Sequence, residues 1–126
     1  MGEFRFHREI DKTLKDLGFN CNLVGFIYLR YCICIYTKSL LNGEGELQLT
    51  KEIYPLCAKQ YCSSIESIDK AIRFCIKKCW IFGNIKLQSD IFKDCISFNA
   101  VFPSALVVIL YIAKYVVNKY QKQFIV

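Results

Sequence analysis

Residues 65–80, IESIDKAIRFCIKKCW, constrain the fold of this chain more tightly than any other segment. Plotted at about 100° per residue, Ile65, Ile68, Ala71, Ile72, Cys75, Ile76 and Cys79 fall on one stripe. Glu66, Lys70, Arg73 and Lys77 centre on the opposite side, with Ser67 and Phe74 on one flank and Asp69 toward the other. A segment divided in this way is an amphipathic helix that must bury its apolar face against neighbours. Cys75 and Cys79 point where isoleucines point, so they read as small core side chains. The basic face has two readings at this level: an ordinary solvated surface, or a surface for a polyanion.

The rest of the chain also favours helices. Apolar residues make up 54% of the 126, with only 6 Gly and 2 Pro, which argues against disorder and accommodates long helices easily. A chain of this length suits one domain that removes roughly two-thirds of its unfolded surface from water. Ile10, Leu14 and Leu17 share a face in 7–17, and Gly18 follows as a stop. The nearly all-apolar run 23–41, interrupted by Arg30 and Lys38, reads as a central buried helix, although ICIY alone also suits a strand. NGEGE at 42–46 is a surface turn. Thr50 is expected to cap the next helix, with Pro55 near its start, and Gly83-Asn84 to close the helix that follows. Residues 85–98 are weakly patterned, with a short helix expected around SDIF. Pro103 and Ser104 open a last helix, at about 103–121.

Several function classes fit poorly. A single histidine, His7, expected at a helix start on the surface, and scattered carboxylates form no acid-base or nucleophilic constellation, so no enzyme activity and no cofactor are expected. The eight cysteines follow no export signal, so free thiols and a cytoplasmic location are expected. Cys57, Cys62, Cys75 and Cys79 are separated by 4, 12 and 3 residues, without the short C-x2-C knuckle of a tight zinc clip. Cys32 and Cys34 are two apart and face different ways on a helix, so no metal is expected there either. The 19 uncharged positions of 95–113 approach a membrane-spanning length, but Ser97, Asn99, Pro103 and Ser104 interrupt their first half. A membrane-anchored variant is therefore the minor alternative to a buried dimerising helix.

A helix-turn-helix needs a small residue where its helices cross, a tight turn and an apolar inner face on the second helix. Ala58, Cys62, Ile68 and Ala71 have those offsets. Cys62 stands where the turn glycine usually does, which calls for a non-glycine left-handed residue or a different turn geometry.

YLRYCICIY, TKEIYPLCAKQY and SSIESIDKAIRFCIKKCWIFGNI together resemble the C-terminal effector domain family of stage zero sporulation protein A, a response regulator of endospore formation. Gly25, Tyr28, Leu29, Arg30, Thr50, Lys51, Tyr54, Pro55, Ala58, Lys59, Ala71, Ile72, Arg73, Trp80, Gly83 and Asn84 match that family in order. The resemblance implies an all-α fold of about six helices with an embedded helix-turn-helix at about 51–80, a recognition helix at about 64–80 in the major groove, and a last helix that aids dimer contacts. It implies double-stranded DNA as partner, a TGTCGAA-type target box, and base contacts at Ser67, Asp69, Lys70 and Arg73. Lys51, Lys59, Ser63, Ser64, Lys77 and Lys78 are the candidate phosphate contacts.

Arg73 keeps the family residue, whose planar fork suits guanine O6 and N7 or a phosphate. Lys70 and Ser67 stand where the family has arginines, and Asp69 where it has glutamate, so a weaker or altered sequence preference is expected. The receiver domain that precedes this module in the family does not lie within these residues, so switching by phosphorylation is not expected unless they are part of a longer chain. The apolar last helix suggests a homodimer on DNA, with RNA polymerase or a full-length regulator as further partners. The competing reading is an interaction module that keeps the fold, no longer reads DNA, and pairs with a full-length regulator through that helix.

Overall fold

A computed structural model describes the backbone of residues 2–92 and 102–124 and the side chains of 7–92 and 102–121. Among these residues the chain forms six α-helices, one π-helical turn and no strand, so the fold is all-α. In chain order they are α1 (Gly2–Leu17), α2 (Val24–Leu41), the π-helical turn (Leu49–Ile53), α3 (Tyr54–Gln60), α4 (Ile65–Phe82), α5 (Ile85–Phe92) and α6 (Ala105–Phe124).

α2 is the central element and packs against α1, α3, α4 and α6. Its ICIY segment is helical because burial surrounds it: Phe26, Leu29, Cys32, Ile33, Cys34 and Tyr36 are all in the core. Among the described residues it is the one helix long and apolar enough to cross a membrane, but half of it is buried within the protein. Arg30 is used inside the fold, donating from Nη1 to Asp11 of α1 at 3.0 Å. Burial alone would raise the Asp11 pKa, but hydrogen bonds and charge from Lys15 and Arg30 bring it below the ordinary carboxylate value.

Gly25 permits the closest crossing. A methyl group there would collide with the carbonyl of Ala71 on α4, so α2 and α4 approach backbone to backbone. Gly18 does a related job at the end of α1. Its φ of 101° is left-handed, Phe19 N–H donates to Leu14 O at 2.9 Å, and Asn84 N–H donates to Leu17 O at 2.9 Å. The ends of α1 and α4 are thus tied together.

Four boundaries differ from expectation. α1 begins at Gly2, so His7 lies within it, exposed, with Nε2 3.5 Å from Cys34 Sγ. Thr50 lies inside the π-helical turn and is not a cap; Glu52 Oε1 instead accepts from Gln48 N–H at 2.9 Å. Gly83 ends α4, whereas Asn84 caps α5, its Oδ1 accepting from Leu87 N–H at 3.2 Å. The short helix expected around SDIF is the second half of α5, which begins at Ile85, while the remainder of 85–98 lies outside the described residues. As expected, Ser104 caps α6, accepting from Val107 N–H at 3.3 Å.

Much of the apolarity of α6 is used within the fold. Ala105, Val108, Ile109, Ile112, Ala113 and Val116 are buried against α1 and α2, so the core accounts for one face of the helix, while Leu106 is exposed. The same packing accounts for positions 105–113 of the uncharged stretch considered as a membrane span; its positions 95–101 lie outside the described residues.

Candidate nucleic-acid interface

α3 and α4 form a helix-turn-helix. α3 ends in a Schellman motif, with Ser63 N–H donating to Ala58 O at 2.9 Å and Cys62 in the left-handed region at φ 51°. Cys62 is therefore the non-glycine left-handed residue that the turn requires, and it is exposed. Ala58 is half-buried against the core, and Ile68 is fully buried. Ala71 sits beneath Gly25, so that small residue serves the crossing with α2.

α4 starts cleanly because Ser64 caps it. Ser64 Oγ accepts from Ser67 N–H at 3.1 Å and lies 3.0 Å from the Ser67 hydroxyl, to which it donates. The apolar stripe anticipated for this helix is in place: Ile68, Ile72, Cys75, Ile76 and Cys79 are buried. Opposite them Glu66, Ser67, Lys70, Arg73, Phe74, Lys77 and Lys78 are exposed.

One hydrogen-bonded chain crosses from α3 to the surface of α4. Tyr54, buried on α3, donates from its hydroxyl to Asp69 Oδ1 at 2.9 Å, and Arg73 Nε lies 2.9 Å from Asp69 Oδ2. The Arg73 side chain is nevertheless 71% exposed, so its guanidinium faces solvent with one edge held. Burial first, and then the bond to the Asp69 carboxylate, push the Tyr54 hydroxyl far above its ordinary pKa, so it stays a donor at any physiological pH. Beside this chain a groove of about 810 Å³ runs between α4 and the start of α6, with Glu66, Ile76 and Leu106 among its walls.

The phosphate candidates fall on three helical elements and the turn between two of them. Lys51 is exposed on the π-helical turn and Lys59 on α3. Ser63 is half-buried in the turn, while Ser64, Lys77 and Lys78 are exposed on or at the start of α4. Lys78 has company: its Nζ lies 5.4 Å from the Phe74 ring centre and 5.9 Å from that of Phe82.

Cys75 and Cys79, expected in the core, are there. Cys57, Cys75 and Cys79 are buried, whereas Cys62 is on the surface. Burial pushes the Cys75 thiol up to about 11 and Cys79 up to about 12, which keeps both protonated at neutral pH. Cys79 Sγ donates to Leu17 O at 3.4 Å. The neighbouring Cys57 thiol and burial likewise hold Cys32 protonated. Among the described residues no group of three or more His, Cys, Asp or Glu side chains is placed to hold a metal ion.

Three residues gain a role that the sequence reading did not give them. Tyr54 aims Asp69 across two helices, a pairing over 15 residues that helical periodicity does not reveal. Phe74 is an exposed aromatic on the outer face of α4, visible in sequence only as a flank residue. Gly25 sets the approach of α2 to α4, and a lone glycine inside an apolar helix was its signal.

A small helical domain that offers one side of a capped, basic second helix has the architecture of helix-turn-helix DNA-binding domains. The model of the family described as "Sporulation initiation factor Spo0A C terminal" matches residues 10–116. The chain belongs to that family and is a DNA-binding effector domain of the sporulation-initiation type. The family is one of regulator domains, not of enzymes.

Proposed function

We propose that this chain recognises double-stranded DNA sequence-specifically, with α4 in the major groove, and regulates transcription from there. The observation that carries the reading is the Tyr54–Asp69–Arg73 chain, which holds an exposed guanidinium in a defined pose on the outer face of a basic helix. A pre-aimed arginine is the side chain suited to guanine O6 and N7. Lys70 adds a point charge and Ser67 a hydroxyl beside it. Both oxygens of Asp69 have partners, so its first role is to orient Arg73, ahead of accepting from a cytosine amine. Lys51, Lys59, Ser63, Ser64, Lys77 and Lys78 contact phosphates and set the register.

Such a regulator works in the cytoplasm. Two copies on adjacent half-sites, and contact with RNA polymerase or a full-length regulator, belong to the same reading. The alternative of an interaction module that pairs through the last helix has less support, because the apolar face of α6 is used in the core.

Titration against a fluorescent duplex carrying a TGTCGAA-type box and against a scrambled duplex, each at two salt concentrations, tests the proposal. The expected result is preference for the box, with log affinity falling linearly with log salt. Equal or absent binding to the two duplexes would overturn it.

A further inference from the structure

The outer arc of α4 carries an exposed aromatic, Phe74, among its charged residues. Phe74 is 50% exposed, about 20° around the helix from Ser67 and about 40° from Lys70 at 100° per residue. It lies one turn beyond Lys70 and next to Arg73, about 10 Å along the axis from Ser67 at 1.5 Å per residue. A helix lying in the groove by its Ser67, Lys70 and Arg73 side therefore brings Phe74 in as well. An isolated exposed phenylalanine needs no explanation, but one set among the reading residues of a basic helix does. Lys78, with its ammonium 5.4 Å from the ring centre, favours one ring position and leaves half of the residue open.

The edges of the bases in the major groove offer mainly donors and acceptors. The thymine 5-methyl is the apolar group among them, and a phenylalanine is one of the side chains that packs against it. We infer that Phe74 reads the 5-methyl group of a thymine, making it a specificity-determining residue of this domain. The inference rests on the proposed placement of α4 in the major groove. It adds to that placement a base identity that Arg73, Lys70 and Ser67 do not supply.

Replacing thymine with deoxyuridine removes the methyl group and leaves every hydrogen bond in place, so it isolates the contact. A duplex is selected from a random pool with the full chain, and each thymine of the selected site is then replaced in turn. At one position or more the wild type should lose about fourfold in affinity, the worth of one methyl-sized apolar group removed from water. Phe74→Ala should bind the thymine and deoxyuridine duplexes equally. Circular dichroism and thermal melting establish that this variant is folded, as expected for a half-exposed side chain. Wild-type binding indifferent to every replacement, or a Phe74→Ala variant that keeps the fourfold ratio, would overturn the inference while leaving DNA recognition standing. In that event Phe74 belongs with exposed Ile81, Phe82 and Ile85 in a protein-facing patch. A pool that yields no enriched sequence would overturn the DNA-reading proposal itself and this inference with it.

Discussion

At the residue scale the decisive contrast is between Arg73 and the residues that aim it. Arg73 has 71% of its side chain in solvent, so its ion pair with Asp69 adds little to stability, and its worth lies in the pose. Arg73→Ala is expected to lose about 1–3 kcal/mol on the preferred duplex and much less on a scrambled one, measured by titration of both. An equal loss on the two would move Arg73 to the phosphate contacts. Tyr54→Phe removes only the hydroxyl that donates to Asp69. It should reduce discrimination between the duplexes in the same direction but by less, while binding to scrambled DNA holds. Arg73 was legible from sequence because its place on a charged arc follows from helical period alone. Its aiming was not, because Tyr54 and Asp69 lie on different helices and meet only once α3 and α4 cross.

At the element scale the turn between α3 and α4 departs from its usual chemistry. Cys62 occupies a left-handed position where glycine carries no steric cost, and a residue with a Cβ costs roughly 1–2 kcal/mol. Its thiol is on the surface, so substitution removes no core packing. Cys62→Gly is therefore expected to raise stability by about 0.5–1 kcal/mol in urea denaturation, after the extra chain entropy of glycine is set against the relieved strain. Cys62→Ala keeps the Cβ and should give no such gain, which separates backbone strain from any effect of the thiol.

The elements themselves were readable in sequence to the degree that one face of each was apolar. α4 was legible nearly from end to end, because five buried positions repeat at helical spacing between a serine cap and a glycine. The start of α3 was misjudged because the cap signal of Thr50 competes with the Glu52 side chain, which takes the Gln48 N–H and draws the helical turn back to Leu49. The first half of α5 was missed for want of a stripe, since Ile85 is exposed and polar Gln88 is buried, its Nε2 donating to Cys79 O at 3.1 Å.

At the scale of the whole molecule the question is what the apolar residues of α6 serve. An apolar last helix has the same composition whether it meets a second copy or the core of its own chain, so sequence alone leaves the two apart only by preference. Within the fold the buried face of α6 serves its own core. α2 lies at the centre, and without α6 its buried face would meet water, because Ile109, Ile112 and Val116 are fully buried with α1 and α2 as neighbours. α6 therefore supports the helix against which α4 is seated, and through it the exposed basic face of α4. Ile112→Ala is expected to destabilise the domain by about 2–5 kcal/mol, the usual range for emptying a core isoleucine site. A helix serving its own core gives a denaturation midpoint independent of protein concentration, whereas a dimer-dependent core gives one that rises with it. The expected outcome is a lower midpoint for the variant and, for both proteins, no movement across roughly a hundredfold dilution. A midpoint that falls on dilution would make the second copy part of the fold and return α6 to the role of an interface.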